Sequence, residues 1–409
     1  MHSGKARVER VRPAFWILMG AVMLSPLAID IYLPALTAMA AEFRRPYAAL
    51  QLTITLFLMS VGVGQLLVGP MTDRFGRRPV LLGGIGIYMV AAMVGMSAVS
   101  MEMLYLSRIL QGFGACASVT VAFAAVRDSY TPIEGAKLYS YLNGSLTLVP
   151  SLAPVLGGAL TVALGWRSNF AFMTGFAGLL WLGAYCRFGE TRPLGMPVER
   201  RLYRWSRYRP VLFNRRFLHY AVLVSTMMAA ILVYVSAAPV IMMDRLRQPE
   251  WVFSLWFGGN ALVSTAAFFV VPRLMARWGR KSTVQRGLIV VICGGVLIAV
   301  LYGSVPVSVV TFMAPVALLS VGFSMVLGAA ASLALEPFPE RAGTAAALLG
   351  AIQLGGGAAL ATLLLMTPLA PQSSLALICC GVGGVMWLLA RRLAKRADLT
   401  CESDFSRGE

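Results

Sequence analysis

Twelve times the chain runs for about twenty residues with almost no charge, and this repetition limits its folds more than any other feature. A backbone crossing hydrocarbon has to satisfy its own hydrogen bonds, so ~20 apolar residues in a row read as a membrane helix. The candidate spans are 14–38, 49–69, 80–99, 102–125, 138–161, 168–187, 217–240, 252–272, 284–302, 305–334, 343–367 and 373–390. Spans 9 and 10 are separated only by Gly303 and Ser304. Charged residues make up 13% of the chain, against roughly 25% in soluble domains. The fold class is therefore all-α integral membrane protein with 12 transmembrane helices.

Ala38-Met39-Ala40 fits a signal-peptidase site, but the run before it is longer than an h-region of about 7–15 residues and contains Asp30 and Pro34. It is retained as span 1. Of the 35 Lys and Arg, 29 fall on the side of the N-terminus, and Arg44, Arg45, Arg167, Arg245 and Arg247 fall on the other. That asymmetry predicts cytoplasmic termini. Net charge +18 and pI ≈ 10.2 would suit nucleic acid, yet the basic residues are scattered between apolar runs, so membrane topology explains them and no nucleic-acid partner is expected. Nine of the 29 lie between Arg187 and Arg216, where a solvated linker meets anionic lipid heads. Five cysteines sit inside spans and Cys401 in the tail, which gives neither a disulfide framework nor a metal spacing.

Gly69–Pro79 reads GPMTDRFGRRP, and Arg277–Lys281 reads RWGRK; aligning Gly76 with Gly279 puts the copies 203 residues apart. Pro34 likewise falls near Pro239. The chain thus divides into pseudo-symmetric six-helix bundles at 1–187 and 217–392, a basic cytoplasmic linker at 188–216 and a cytoplasmic tail at 393–409. The copies differ in charge. Asp73 is replaced by Ala276, and Asp30 by Val235.

Asp30 and Arg108 are charges inside spans, and such charges are costly and usually functional. At 1.5 Å per residue Asp30 lies ~6 Å, and Arg108 ~9 Å, below the same outer face of a ~30 Å core. Opposite charges at matched depth predict an ion pair. If that contact changes between conformations, so does the proton affinity of Asp30, and a proton is coupled to the cycle. The alternative is a static pair that only fixes helix packing.

These residues resemble the major facilitator superfamily, and within it the drug:proton antiporters of the Bcr/CflA type, over the whole chain. Gly69–Pro79 is similar to the superfamily's loop 2–3 motif, and Leu106–Gly112 (LSRILQG) to the span 4 motif carrying the coupling arginine. Ala153–Gly158 (APVLGG) resembles the span 5 antiporter motif, with Ala153 where glycine is usual. AIDIYLPAL and AVRDSY resemble bicyclomycin and phenicol exporters. The resemblance implies that fold, proton coupling through Asp30 and Arg108, and a conformational gate at Gly69, Asp73, Arg74, Gly76, Arg77 and Arg78. It assigns Pro150, Pro154, Gly157 and Gly158 to antiport; ordinary small-residue packing explains them as well.

Polar residues on other spans are candidate cavity lining: Tyr32, Gln65, Gln111, Asn143, Tyr234, Asn260 and Gln353. An enzyme would need a nucleophile–base pair or metal ligands, but the two histidines, His2 and His219, have no cluster around them, and no P-loop is present. No cofactor is expected. The function expected is proton-coupled export of drug-sized amphipathic compounds by a monomer in the bacterial inner membrane, its partners being a small-molecule substrate, protons and the bilayer. Export of one dedicated natural product or siderophore, or uptake of a metabolite, fits the same fold.

Overall fold

The computed structural model describes residues 13–192, 205–338, 341–367, 369–382 and 384. The N-terminal tail, part of the linker, the end of span 12 and the C-terminal tail, with His2 and Cys401, lie outside the described residues. Among the described residues every regular element is helical, as an apolar solvent requires of a chain that builds no closed barrel. Eleven of these helical stretches are long and apolar enough to cross a membrane, and they match spans 1 to 11. Span 12 begins as α15 (Pro371–Leu377) and continues as a π turn, Ile378–Val382.

Span 1 is broken. Helix α1 (Phe15–Asp30) gives way to a 3₁₀ turn (Leu33–Ala35) before α2 (Leu36–Phe43). Pro34 has no N–H to return to the carbonyl of Asp30, four residues earlier, so the helix cannot continue. The next spans are α3 (Tyr47–Phe75), α4 (Arg77–Met96), α5 (Met101–Ser129), α6 (Pro132–Leu164) and α7 (Arg167–Arg187). The short α8 (Trp205–Leu212) lies in the linker. Helices α9 (Arg215–Pro239), α10 (Glu250–Trp278), α11 (Arg280–Ser304) and α12 (Val309–Leu335) are spans 7 to 10. Span 11 is α13 (Ala342–Ala351), a π turn (Ile352–Gly356) and α14 (Gly357–Leu365).

The turns are written locally. Gly76 and Gly279 hold φ of 99° and 78° between α3 and α4 and between α10 and α11, a region nearly closed to residues with a Cβ. Ser308 caps α12 with Thr311 in a reciprocal box, which resolves the boundary between spans 9 and 10.

The internal repeat appears in the backbone too. Arg44 and Arg247 are the non-glycine residues with positive φ among those described (49° and 52°), and they are 203 residues apart, as Gly76 and Gly279 are.

Helices α1 to α7 pack chiefly on one another, as do α9 to α15. Contact between the two sets runs mainly through α3 against span 11 and α6 against α10. Small residues permit these approaches: a Cβ on Gly62 would meet the backbone of Gly355, and one on Gly258 the carbonyl of Ser151. Hydrogen bonds between the sets join Gln51 Nε2 to the Ser236 carbonyl (2.9 Å), Thr55 to Thr362 (2.7 Å) and Ser254 Oγ to the Pro154 carbonyl (3.1 Å). All three lie on the half away from the Gly69–Pro79 loop.

Candidate substrate cavity and conformational gate

Between the two sets lies a cavity of about 460 Å³, a volume suited to a drug-sized molecule. Its wall is largely aliphatic and aromatic, with Leu58, Val61, Met228, Ile231, Phe257 and Phe268 among its members. Its polar groups are Asp30, Gln65, Tyr234 and Asn260, with hydroxyls from serines and threonines such as Ser264 and Thr120. Tyr234 stacks on Phe257 with centroids 5.5 Å apart, and Asn260 donates to Ser320 Oγ at 3.0 Å. Val235, which falls opposite Asp30 when Pro34 is aligned with Pro239, lines the same cavity.

The other expected lining residues lie elsewhere. Tyr32 is fully buried and bonded to Thr53 Oγ1 (2.8 Å), and Gln111 is buried against Arg108 and Met173, because both point into the packing of α1, α3, α5 and α7. Asn143 is exposed, and Gln353 sits in the π turn of span 11 outside the lining.

The expected ion pair is not formed in this conformation. Arg108 donates through Nη2 to the carbonyl of Ala28 at 2.6 Å and through Nη1 to Gln111 Oε1, and its guanidinium lies 4.7 Å from the ring centroids of both Tyr32 and Phe57. Breaking span 1 is what makes this possible. The Ala28 carbonyl belongs to the last turn of α1, and a cation there satisfies an orphan acceptor and the negative end of the helix dipole. Asp30, two residues on, is buried in the cavity wall with no hydrogen-bond or ion-pair partner among the described residues.

At the Gly69–Pro79 end, Arg77 is fully buried and bridges Asp73 (2.7 Å) and Asp128 (2.9 Å). The Glu190 carboxylate accepts from the backbone N–H of Arg77 (2.8 Å) and Arg78 (3.1 Å), capping the start of α4. Arg78 donates to the Tyr185 carbonyl. Arg74 contributes its carbonyl to Arg192 and its guanidinium to the Phe75 ring. Gly69 has no atom within 4 Å of a Cβ position, so it is not packed tightly here.

In the second half, Arg280 and Arg216 both bind Glu336, with Arg280 also on Ser332. Burial opposes it, but hydrogen bonds and charge from Arg280 and Arg216 hold the Glu336 carboxyl below its usual value.

Comparison with known proteins decides the family. The profile described as Major Facilitator Superfamily matches residues 18–362. The chain belongs to that superfamily. It is a membrane transporter rather than an enzyme, of a class that moves small molecules. Relatives include a chloramphenicol resistance protein of Pseudomonas aeruginosa, 37% identical over 81% of this chain and 80% of that protein. Another is multidrug resistance protein D of Escherichia coli K12, 31% identical over 92% and 94%. The fold is shared with a crystal structure of a D-xylose-proton symporter (TM-score 0.73, 14% identity, 91% and 96% covered). It is shared equally with a bacterial homologue of the lysosomal transporter Spinster in an inward-facing form (TM-score 0.70, 14%, 92% and 96%).

Within this superfamily fold, the span 5 glycines have separate contacts. A Cβ on Gly157 would run into the carbonyl of Ile31, beside Asp30, and one on Gly158 would press on Ser254 Oγ of α10 at 3.2 Å. Pro154 supplies the carbonyl that Ser254 bonds, and Pro150 lines the cavity. Sequence reasoning missed Asp128 and Glu190 as partners of Arg77. Asp128 stood inside AVRDSY, a carboxylate next to Arg127, and Glu190 was hidden at the start of the basic linker.

Proposed function

We propose that this chain is a proton-coupled exporter of drug-sized, amphipathic or apolar molecules in the bacterial inner membrane. The observation that carries the reading is Asp30: a carboxylate with no partner among the described residues, in the wall of a largely apolar cavity, two residues on from the carbonyl that holds Arg108. The names of the relatives support a drug as cargo.

The termini and the linker face the cytoplasm, and bundles 1–187 and 217–392 rock about the cavity. A protonated Asp30 makes no demand on Arg108, which stays on the Ala28 carbonyl and Gln111. Loss of the proton leaves a charge in apolar surroundings, and the cation bonded two residues away is drawn from the helix end to the carboxylate. That exchange of partners changes how α1 sits on α5. Cargo and proton therefore favour different states, and each shifts the equilibrium by its differential affinity. The Asp73–Arg77–Asp128 cluster holds the cytoplasmic ends of α3, α4 and α5 in register, and Gly69 leaves room for span 11 to approach α3 when the cavity turns outward. One chain supplies the cavity and both gates, so it acts as a monomer.

The test is expression in a pump-deficient bacterium against a panel of toxic compounds, beside a proton-flux assay on inverted vesicles. Raised tolerance with compound-dependent proton release from the vesicle lumen is expected. Tolerance without proton movement would remove the coupling, and no tolerance to any amphipathic drug would remove the cargo class.

A further inference from the structure

A second cavity, of about 360 Å³, opens from the first. The two share Gln65, Val119 and Thr120, and the Gln65 side chain lies where a Cβ on Gly350 would be, so this is the narrow point between them. The second chamber continues along α3 and α5 to Asp73 and Arg127 at the gate, with Gly343, Thr344, Ala346 and Ala347 of span 11 opposite. One of its walls belongs to neither bundle. It is Tyr208, from the linker helix α8.

Helix α8 is seated on the protein by a face spaced i, i+3, i+4: Tyr208 and Leu212 are half-buried and Val211 fully buried, whereas Trp205 and Arg209 are exposed. It packs on α13, and the Tyr208 hydroxyl reaches toward the Leu66 carbonyl of α3 at 3.5 Å. A linker that only tethered two bundles or brushed lipid would have no reason to spend its aromatic residue on the inner wall of a passage.

We infer that α8 is part of the transport path, and that Tyr208 forms, with Phe123, a second cargo site taking uncharged aromatic molecules between the cytoplasm and the central cavity. The class follows from the wall. Two aromatic rings border the chamber, and Thr72, Thr120 and Thr344 bring hydroxyl oxygens. Such an oxygen can accept a hydrogen bond even where, as in Thr72 with the Gly69 carbonyl (2.7 Å), the hydroxyl already donates one. The ions are of both signs and already engaged, Asp73 with Arg77 and Arg127 with Asp128 (3.4 Å), so the chamber gives a net charge no counter-ion. Its volume suits a drug-sized molecule. Because α8 is tied to both halves, the site exists only while the passage is open, and cargo meets Tyr208 before Asp30. The inference rests on the export reading for the direction of travel but not for binding.

The test uses the full-length protein in proteoliposomes with chloramphenicol as the uncharged aromatic probe. Tyr208→Ala is expected to raise KM about fivefold with kcat within about twofold, the loss of one aromatic contact. Tyr208→Phe should stay near wild type, and Tyr208→Leu, which keeps apolar bulk in the seat, should match Tyr208→Ala. Binding is read separately in Ala347→Cys backgrounds, at a position that lines the second chamber and not the first, by peptide mass after a charged methanethiosulfonate reagent. Chloramphenicol should protect residue 347, and Tyr208→Ala should raise the half-protecting concentration by the same factor. An unchanged KM and half-protecting concentration in Tyr208→Ala and Tyr208→Leu, a Tyr208→Phe variant as impaired as Tyr208→Ala, or no protection with Tyr208 present would each overturn the inference. Protection without pH-driven transport in the wild type would instead fail the export reading and leave the site standing.

Discussion

The two halves turn the same corner and pay for it differently. Gly76 and Gly279 have nearly the same backbone (φ 99°, ψ 165° and φ 78°, ψ 158°), and each is followed by an arginine, Arg77 or Arg280. Arg77 is fully buried between Asp128, only 4% exposed, and Asp73, which is 46% exposed. Arg280 is 41% exposed and shares the 39% exposed Glu336 with Arg216. Ala276 stands where Asp73 stands in the first half. The buried Arg77–Asp128 pair is costly to break, whereas an exposed clamp is screened and nearly free to break. Duplication supplied the turn twice. Only the first copy buries its arginine.

Experiments that break this contrast run from large effects to small. Arg77→Ala should destabilise the protein by about 3–5 kcal/mol, because it strands Asp128, whereas Arg280→Ala should cost under about 1 kcal/mol. Thermal unfolding in detergent compares them, and equal losses would erase the distinction. Gly76→Ala should cost more than Gly279→Ala. Both force a Cβ into a region worth about 1–3 kcal/mol of strain, but at Gly76 the Cβ also meets the Glu190 carboxylate, and at Gly279 it meets nothing within 4 Å. Asp73→Asn keeps one hydrogen bond to Arg77 and should lower transport several-fold while expression and insertion hold, on the scale of about 1 kcal/mol for a charge-assisted bond. Transport equal to wild type at matched expression would leave the loop with topology as its only role.

The smallest effect is in pH. The folded-state value of Glu336 is depressed, so its stabilisation is present above the unfolded carboxylate value and fades as pH falls through the folded one. Glu336→Gln should remove that slope between mildly acidic and strongly acidic pH, and the exposure of the group keeps the change small.

The spans were legible because an apolar solvent leaves a backbone one local option, and twenty apolar residues state it without reference to the rest of the chain. Partner choice was not. Arg77 could be singled out from its loop, but Asp128 lies 51 residues on, and only the packing of α4 on α5 brings the two together. Depth along a helix fixed one coordinate of Asp30 and Arg108 and left the rotation about the axis open. The break at Pro34 then supplied Arg108 with a carbonyl that an unbroken helix would have used itself. Tyr32 and Gln111 failed as lining for the same reason: a polar residue in a span marks a face, and the sequence does not say whether that face meets a cavity or another helix. Gln65, Tyr234 and Asn260 share the composition of the misplaced residues and differ from them only in direction.

The central claim is that Asp30 carries the proton. Its most direct test is uptake of a drug to which expression of the chain raises tolerance, into inside-out proteoliposomes with an imposed pH gradient, acid inside, comparing wild type with Asp30→Asn at matched insertion. The wild type should concentrate the drug against its gradient, and Asp30→Asn should only equilibrate it. If Asp30→Asn concentrates drug as wild type does, the proton is carried elsewhere and the account is wrong.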